Sequence, residues 1–358
     1  MIRIITTVAV FLTLAFCSLA QSKKAVPDFS AYLFAYFEGT GEPAKQEQLR
    51  FAISTDAVNW FAINNNLPLI ASDTIAATGG IRDPHILRGA GDNAFYMVAT
   101  DMNTVKNGWD TNPGIVLLHS GDLIHWRHSS IDLAKLYPTT FANVKWVWAP
   151  QTIYDAAAKK YLIYFSVRFK NDEKFDFYCA YANKDFSGFE SEPTLMFSPK
   201  YSAIDGDIIF KDGVYHFFYK GNIKDDKGKE LKNGIQQAVS KSLKGPWKED
   251  FKFLDAYADT TIGVEGSGIF KLNHSNEYVL MYDVYRKGRY EFQRSTDLFH
   301  FSPRPESFTK NFNPRHGTIT SITSAEVKRL QAKWSGGSAI SFHTSKSSNK
   351  AIESVTGK

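Results

Sequence analysis

Asp83-Pro-His-Ile-Leu87 returns, with its first position altered, as Ala149-Pro-Gln-Thr-Ile153, Asp205-Gly-Asp-Ile-Ile209, Glu265-Gly-Ser-Gly-Ile269 and His316-Gly-Thr-Ile-Thr320. Successive copies lie 66, 56, 60 and 51 residues apart. Each consists of one variable position, then Pro or Gly, then a short β-prone run. A frame that persists while a single position reads Asp, Ala, Asp, Glu and His describes a symmetric scaffold whose equivalent strand ends converge.

Each opening strand is followed by an aromatic-rich second run: Tyr32 to Phe37, Phe95 to Ala99, Tyr161 to Phe165, Tyr215 to Tyr219 and Tyr278 to Tyr282. Short apolar runs bounded by Gly, Asp or Asn predict strands covered on both faces. A third strand then leads into a polar turn closed by an aromatic: Ser54 to Trp60, Ser120 to Trp126, Asn183 to Phe189, Ser240 to Trp247 and Ser295 to Phe301. Asp and Ser in these turns can cap backbone amides, and the aromatic opens a fourth strand. Four strands per unit, five times over, predict an all-β, five-bladed β-propeller. The chain starts on a second strand at Tyr32 and ends on an opening strand at His316. The C-terminal strand is therefore expected to complete the N-terminal blade. Thr323-Ser-Ala-Glu326 has capping-box spacing, which predicts a short helix after it.

The 358 residues allow a large core, and the repeat favours one propeller domain over 27–334. Net charge is +5, but Lys and Arg are scattered instead of clustered, which argues against nucleic acid as a partner. Residues 1–20 have the form of a secretory signal: Arg3, an apolar run from Ile4 to Phe16, and Ser18-Leu-Ala20 before Gln21. That run is too short to span a bilayer, and export to a periplasm or the exterior is expected. Lipid attachment at Cys17 is the alternative, disfavoured by the bulky Phe16 before it. Cleavage leaves Cys179 alone, so no intrachain disulfide is expected. Residues 335–358 are rich in Ser, Gly and Lys and read as a flexible tail.

In a propeller the innermost strands line the axis and run the same way, so the variable positions form a ring: His316, Asp83, Ala149, Asp205, Glu265. Three acids facing one cavity repel each other, an arrangement that function explains better than backbone capping does. Asp205 lies on the blade next to Glu265, and its charge is expected to raise the Glu265 pKa and make that residue a general acid. Asp83 sits two blades from Glu265 and is expected to stay ionised, as the base that activates water. Ala149 leaves room for a sugar ring. Acid and base on opposite sides of a sugar, about 6.5–9.5 Å apart, is the geometry of an inverting glycosidase.

The segments Arg82-Asp-Pro-His85, Trp148-Ala-Pro-Gln151, Ile204-Asp-Gly-Asp207, Val264-Glu-Gly-Ser267 and Arg315-His-Gly317 resemble, in order, the blade-opening motifs of glycoside hydrolase family 43. The resemblance covers roughly Tyr32 to Leu330. It implies a five-bladed inverting enzyme acting mostly on α-L-arabinofuranosides and β-D-xylosides. By position it assigns Asp83 as base, Asp205 as pKa modulator and Glu265 as acid. The modulator segment departs from the family's Asp-Pro-Ser, so Asp207 competes with Asp205; strand alternation places both on one face, and alignment with the ring favours Asp205. His316 matches a histidine that in some members stands near an axial calcium through water, with a structural hydrogen bond as its other reading. No cofactor is required.

Trp148, next to the ring, is a candidate for stacking on sugar, with core packing as the alternative. Trp109 belongs to a polar loop whose direction is open. Arg286 is a candidate for binding sugar hydroxyls, and Arg289 competes with it. His125 and His300 recur in the outer turns and read as structural. The leading function is an exo-acting α-L-arabinofuranosidase on plant-type oligosaccharides or polysaccharides, working as a monomer. β-D-Xylosidase, galactofuranosidase or galactosidase activity, a carbohydrate-binding propeller and an interaction scaffold are the competitors.

Overall fold

The computed structural model describes residues 27–91, 93–224, 227–306 and 308–334. The signal-like segment, Cys17 and the Ser/Gly/Lys-rich tail lie outside them. Five antiparallel sheets follow one another along the chain. The first blade joins Phe29–Tyr36, Arg50–Ser54 and Phe61–Ala62 to the C-terminal strand Thr318–Thr323, which lies innermost. Leu33 pairs with Thr320 and Phe34 with Ile319, so the last strand closes the ring by entering the first sheet. Blades two, three and four have four strands each and start at Ile81–Arg88, Val144–Asp155 and Ala203–Lys211. The fifth has three, Glu265–Lys271, Tyr278–Val284 and Arg289–Ser295.

The missing fourth strand of blade five corrects the expectation of four throughout. Phe301-Ser-Pro-Arg-Pro-Glu306 carries two prolines, which cannot donate to a ladder, and among the described residues there a single Phe292–Glu306 bridge forms. The outer turns behave as expected. Asp56 accepts from the amides of Val58 and Asn59, Asp122 from Ile124 and His125, and Asp297 from Phe299 and His300. His125 and His300 stay exposed, each 2.7 Å from the Asp of its own turn. The C-terminal helix Ser324–Trp334 opens with a reciprocal capping box: Thr323 N donates to Glu326, and Glu326 N to Thr323 Oγ1. Among the described residues, no helix is long and apolar enough to cross a membrane.

Apolar clusters fill the spaces between neighbouring blades. One joins Phe34, Trp60, Phe270 and Phe292 of the first and fifth blades; another joins Tyr164, Phe177, Phe217 and Trp247 of the third and fourth. Cys179 is a buried free thiol within the second of these. Aromatics suit this role because each supplies a large apolar area that neither sheet could bury alone.

Candidate active site

Four of the inner strands carry a β-bulge at the same place. The register slips between Arg82 and His85, Trp148 and Gln151, Ile204 and Asp207, and Glu265 and Gly268. Asp83, Ala149 and Asp205 take left-handed backbone, with φ of 51°, 45° and 55°. In blade five Gly266 does so at 65°. Such backbone costs a non-glycine residue about 1–3 kcal/mol, and a bulge re-aims the side chain that carries it. Here it aims Asp83, Asp205 and Glu265, with His316, into one cavity that is also lined by Phe37, Arg82, Trp109, Trp148 and Arg315.

The bulge also overturns the expectation that Asp205 and Asp207 share a face. Asp205 lines the cavity, while Asp207 points along the axis toward the opposite end, beside His85 and Thr318. In that lower layer the side chains join blade to blade. Ile86 N donates to Thr318 Oγ1, Thr152 N to His85 Nδ1, Ile208 N to the Tyr164 hydroxyl and Ile269 N to Asp207 Oδ2. Gly206, between the two acids, has no room for a Cβ, which would lie 2.3 Å from the Phe217 ring.

Asp83 accepts a 2.8 Å hydrogen bond from Thr100 Oγ1, and the same hydroxyl accepts from Ala149 N. His316 Nδ1 lies 3.3 Å from Asp83 Oδ1 and 3.7 Å from Asp205 Oδ1. Burial works to lower the imidazole pKa, but these two carboxylates outweigh it and push it up to about 9. Burial would likewise raise Asp83, yet its close contact with His316 and the charges of His316 and Arg82 hold it below the usual carboxylate range. Asp205 is raised, by burial first and by Asp83 against the opposing charge of His316; Gly266 N donates to its Oδ2 at 2.9 Å. Glu265 is pushed up to about 7 by burial, then by Asp205 and Asp283, against Arg315. One acid in the cavity thus holds a proton near neutrality while another stays ionised.

Two arginines at the site were not among the sequence candidates. Arg315 Nη2 contacts Glu265 Oε1 at 3.1 Å, and its Nε contacts Asp283 Oδ2 at 2.5 Å. Arg82 pairs with buried Glu47 at 2.8 Å and lies over the rings of Phe37 and Trp109. Trp109, 58% exposed, stands edge-on to Trp148, which itself packs on Phe175 and Trp146. Arg315 abuts a ring histidine in sequence, the one signal that pointed to it. Arg286 is not brought to the cavity. It is exposed on the short turn Tyr285–Lys287, over the Tyr285 ring, where the chain has already left the sheet. Arg289 is engaged with Tyr257 and Glu291.

The resemblance raised an axial calcium. Both ring nitrogens of His316 are buried without a hydrogen-bond partner. Among the described residues no three His, Cys, Asp or Glu side chains are grouped to hold a metal ion, and a cationic imidazole repels one. The residues present do not form a calcium cage, which requires oxygen ligands.

Comparison with known proteins bears on the fold and the family. An alpha-L-arabinofuranosidase of Bifidobacterium longum is 25% identical over 286 residues, covering 72% of this chain; the chain spans only 26% of that curated relative's length. An endo-1,4-beta-xylanase structure from Bacteroides thetaiotaomicron aligns with TM-score 0.55 and 16% identity, over 79% of this chain and 94% of that one. A GH43 beta-1,3-galactosidase aligns at 0.55 and 13%, over 83% and 58%. A GH43 protein of Bacillus licheniformis aligns at 0.50 and 15%, over 79% and 57%. At these identities the structures speak to the fold, a five-bladed propeller. The profile described as "probable glycosyl hydrolase domain" matches residues 27–328, nearly the whole of the propeller, and the chain belongs to this glycosyl hydrolase 43-related family.

Proposed function

We propose that the protein is an inverting glycoside hydrolase in which Asp83 is the general base, Glu265 the general acid and Asp205 the modulator of the acid. The observation that carries this reading is the divergence of two carboxyls lining one cavity: Glu265 pushed up to about 7, Asp83 held below the ordinary range. Opposed pKa values identify acid and base roles. Asp83 takes a proton from water as the water oxygen bonds to the anomeric carbon. Glu265 gives its proton to the glycosidic oxygen as that bond breaks, and the configuration inverts. His316 keeps Asp83 ionised by its charge. Trp148 offers an apolar ring at the cavity wall for a sugar face. No step passes through a metal.

The substrate class is a carbohydrate, and we place the chain as an exo-acting α-L-arabinofuranosidase. The name of the Bifidobacterium relative supports this choice; xylosidase and galactosidase activities are what a product screen must separate from it. The leader-like residues 1–20 support an exported enzyme that meets plant-type oligosaccharides outside the cytoplasm. Incubation with arabinan, arabinoxylan, arabinogalactan and nitrophenyl glycosides, with NMR of the first-formed sugar, tests the proposal. Release of arabinose as the inverted anomer is expected. A retained anomer refutes the mechanism, and release of another sugar refutes the substrate.

A further inference from the structure

Asp283 has no place in the reaction just described, yet it is buried, charged and one contact away from the acid. It lies on the second strand of blade five, directly across the ladder from Glu265. Its side chain is only 3% exposed, and its Oδ2 meets Arg315 Nε. Arg315 reaches in from the segment before the closing strand, where its amide donates to Phe37 O and its stem packs against Gly39. Of the two terminal nitrogens, Nη2 goes to Glu265 while Nη1 lies against Gly39.

An arginine free to face a carboxylate with its whole fork forms two parallel bonds and stabilises the ionised form strongly. That would disable a general acid, because a carboxylate has no proton to give. We propose that Asp283 is a positioning residue for the acid: by taking the Nε edge of Arg315 it restricts the guanidinium to one contact with Glu265, and so leaves that carboxyl able to hold a proton. Arg315 then locates the Glu265 side chain while Asp283 offsets its charge.

The other charged groups around Glu265 fit this division. Asp205 faces it from the inner strand of blade four and raises its pKa; Lys220, from the second strand of that blade, lowers it. His316 and Asp83 lie beyond, paired with each other. Asp283 raises the Glu265 pKa as well, after burial and Asp205. Its own carboxyl is pushed up to about 6 by burial against the pull of Arg315. Near neutrality Asp283 is therefore ionised and able to match the guanidinium.

This inference rests on the reading of Glu265 as the acid, and its test must not depend on activity alone. Glutamate labelled with 13C at the side-chain carboxyl, with Glu265 assigned by its loss in Glu265→Gln, reports the titration of that group in the whole protein. Asp283→Asn should lower the Glu265 midpoint by about one unit, a roughly tenfold smaller protonated fraction above it. Arg315→Gln should move the midpoint upward. Opposite shifts at the two ends of one ion pair cannot come from general damage to the fold. In hydrolysis, the basic limb of kcat/KM should follow the midpoint in both variants. A midpoint in Asp283→Asn that is unchanged or raised overturns the inference. If the midpoints move as expected but Glu265→Gln hydrolyses as well as wild type, the acid assignment fails and the electrostatic coupling stands.

Discussion

At one mouth of the central channel stand Asp83, Asp205, Glu265 and His316; toward the other end the same five strands present Ile86, Ile153, Ile208, Ile269 and Ile319. Two or three residues along each strand separate a charged cavity from an apolar one. Between them lies a layer where His85, Asp207 and Thr318 accept backbone amides from neighbouring blades. The comparison shows that a carboxylate's role here depends on which side of the bulge it falls. Asp205, on the left-handed residue, faces the ring and interacts with other charges. Asp207, two residues on, is tied to Ile269 N. Within the inner strands the left-handed backbone falls at the functional end, at Asp83, Ala149, Asp205 and Gly266, as expected where rigid neighbours hold an unfavourable backbone for a purpose.

The sharpest way to break this contrast is at the charged mouth. Glu265→Gln should lower kcat on natural linkages by about 10²–10⁴-fold, the usual worth of a positioned acid. It should cost much less on nitrophenyl glycosides, whose leaving groups need little protonation; Asp83→Asn should lose activity on both. Equal losses on the two substrate types in Glu265→Gln would remove the acid from the proposal.

Gly206→Ala attacks the hinge between the two ends. A Cβ there meets the rings of Phe217 and Phe177 at 2.3 and 2.8 Å, and overpacking of this kind should destabilise the fold by about 1–3 kcal/mol. A urea melt unchanged from wild type would mean that the strand relaxes freely and that the bulge is not held by packing.

The pH dependence of kcat/KM sharpens the comparison. Activity should fall as pH rises through about 7, where Glu265 loses its proton, and should fall again in acid once Asp83 is protonated, below the ordinary carboxylate range. Asp207, pushed up to about 7 mainly by burial, should affect stability instead. A carboxyl whose folded-state pKa is raised binds its proton more tightly when folded, so its ionisation weakens the fold as pH climbs from 3.8 toward about 7. Asp207→Asn should flatten that part of the stability curve, measured by urea midpoints, and leave kcat/KM within about twofold, since the group is away from the cavity. A large loss of activity would return Asp207 to the site. Smallest of all, Arg286→Ala should change neither KM nor kcat measurably, because its guanidinium is exposed over the Tyr285 ring and does not line the cavity. A raised KM would show that the arginine swings in to meet substrate.

Much of the site's composition is legible in the chain because a propeller repeats locally. Each blade uses nearby residues, so the frame of Pro or Gly after one variable position marks every inner strand, and the order of copies is the order around the axis. The direction of side chains was less legible. Alternation places Asp205 with Asp207, and the bulge that parts them leaves only a weak trace, the Gly or Pro beside it. Arg286 looked suitable by its place after a second strand. Arg315 reaches the acid instead, held by contacts with Phe37 of the first blade and Asp283 of the fifth, neither of them near it in sequence.

The amino-acid order by itself determined the blade number, the closing strand and the identity of the ring, because these follow from periodicity and from strand propensity within each unit. Tertiary structure alone decided which of two neighbouring acids looks into the cavity, which arginine attends Glu265, and that blade five pairs three strands among the described residues. Those outcomes depend on bulge geometry, on the pairing of distant segments and on desolvation, and burial acts on a charge only after the blades have closed around it.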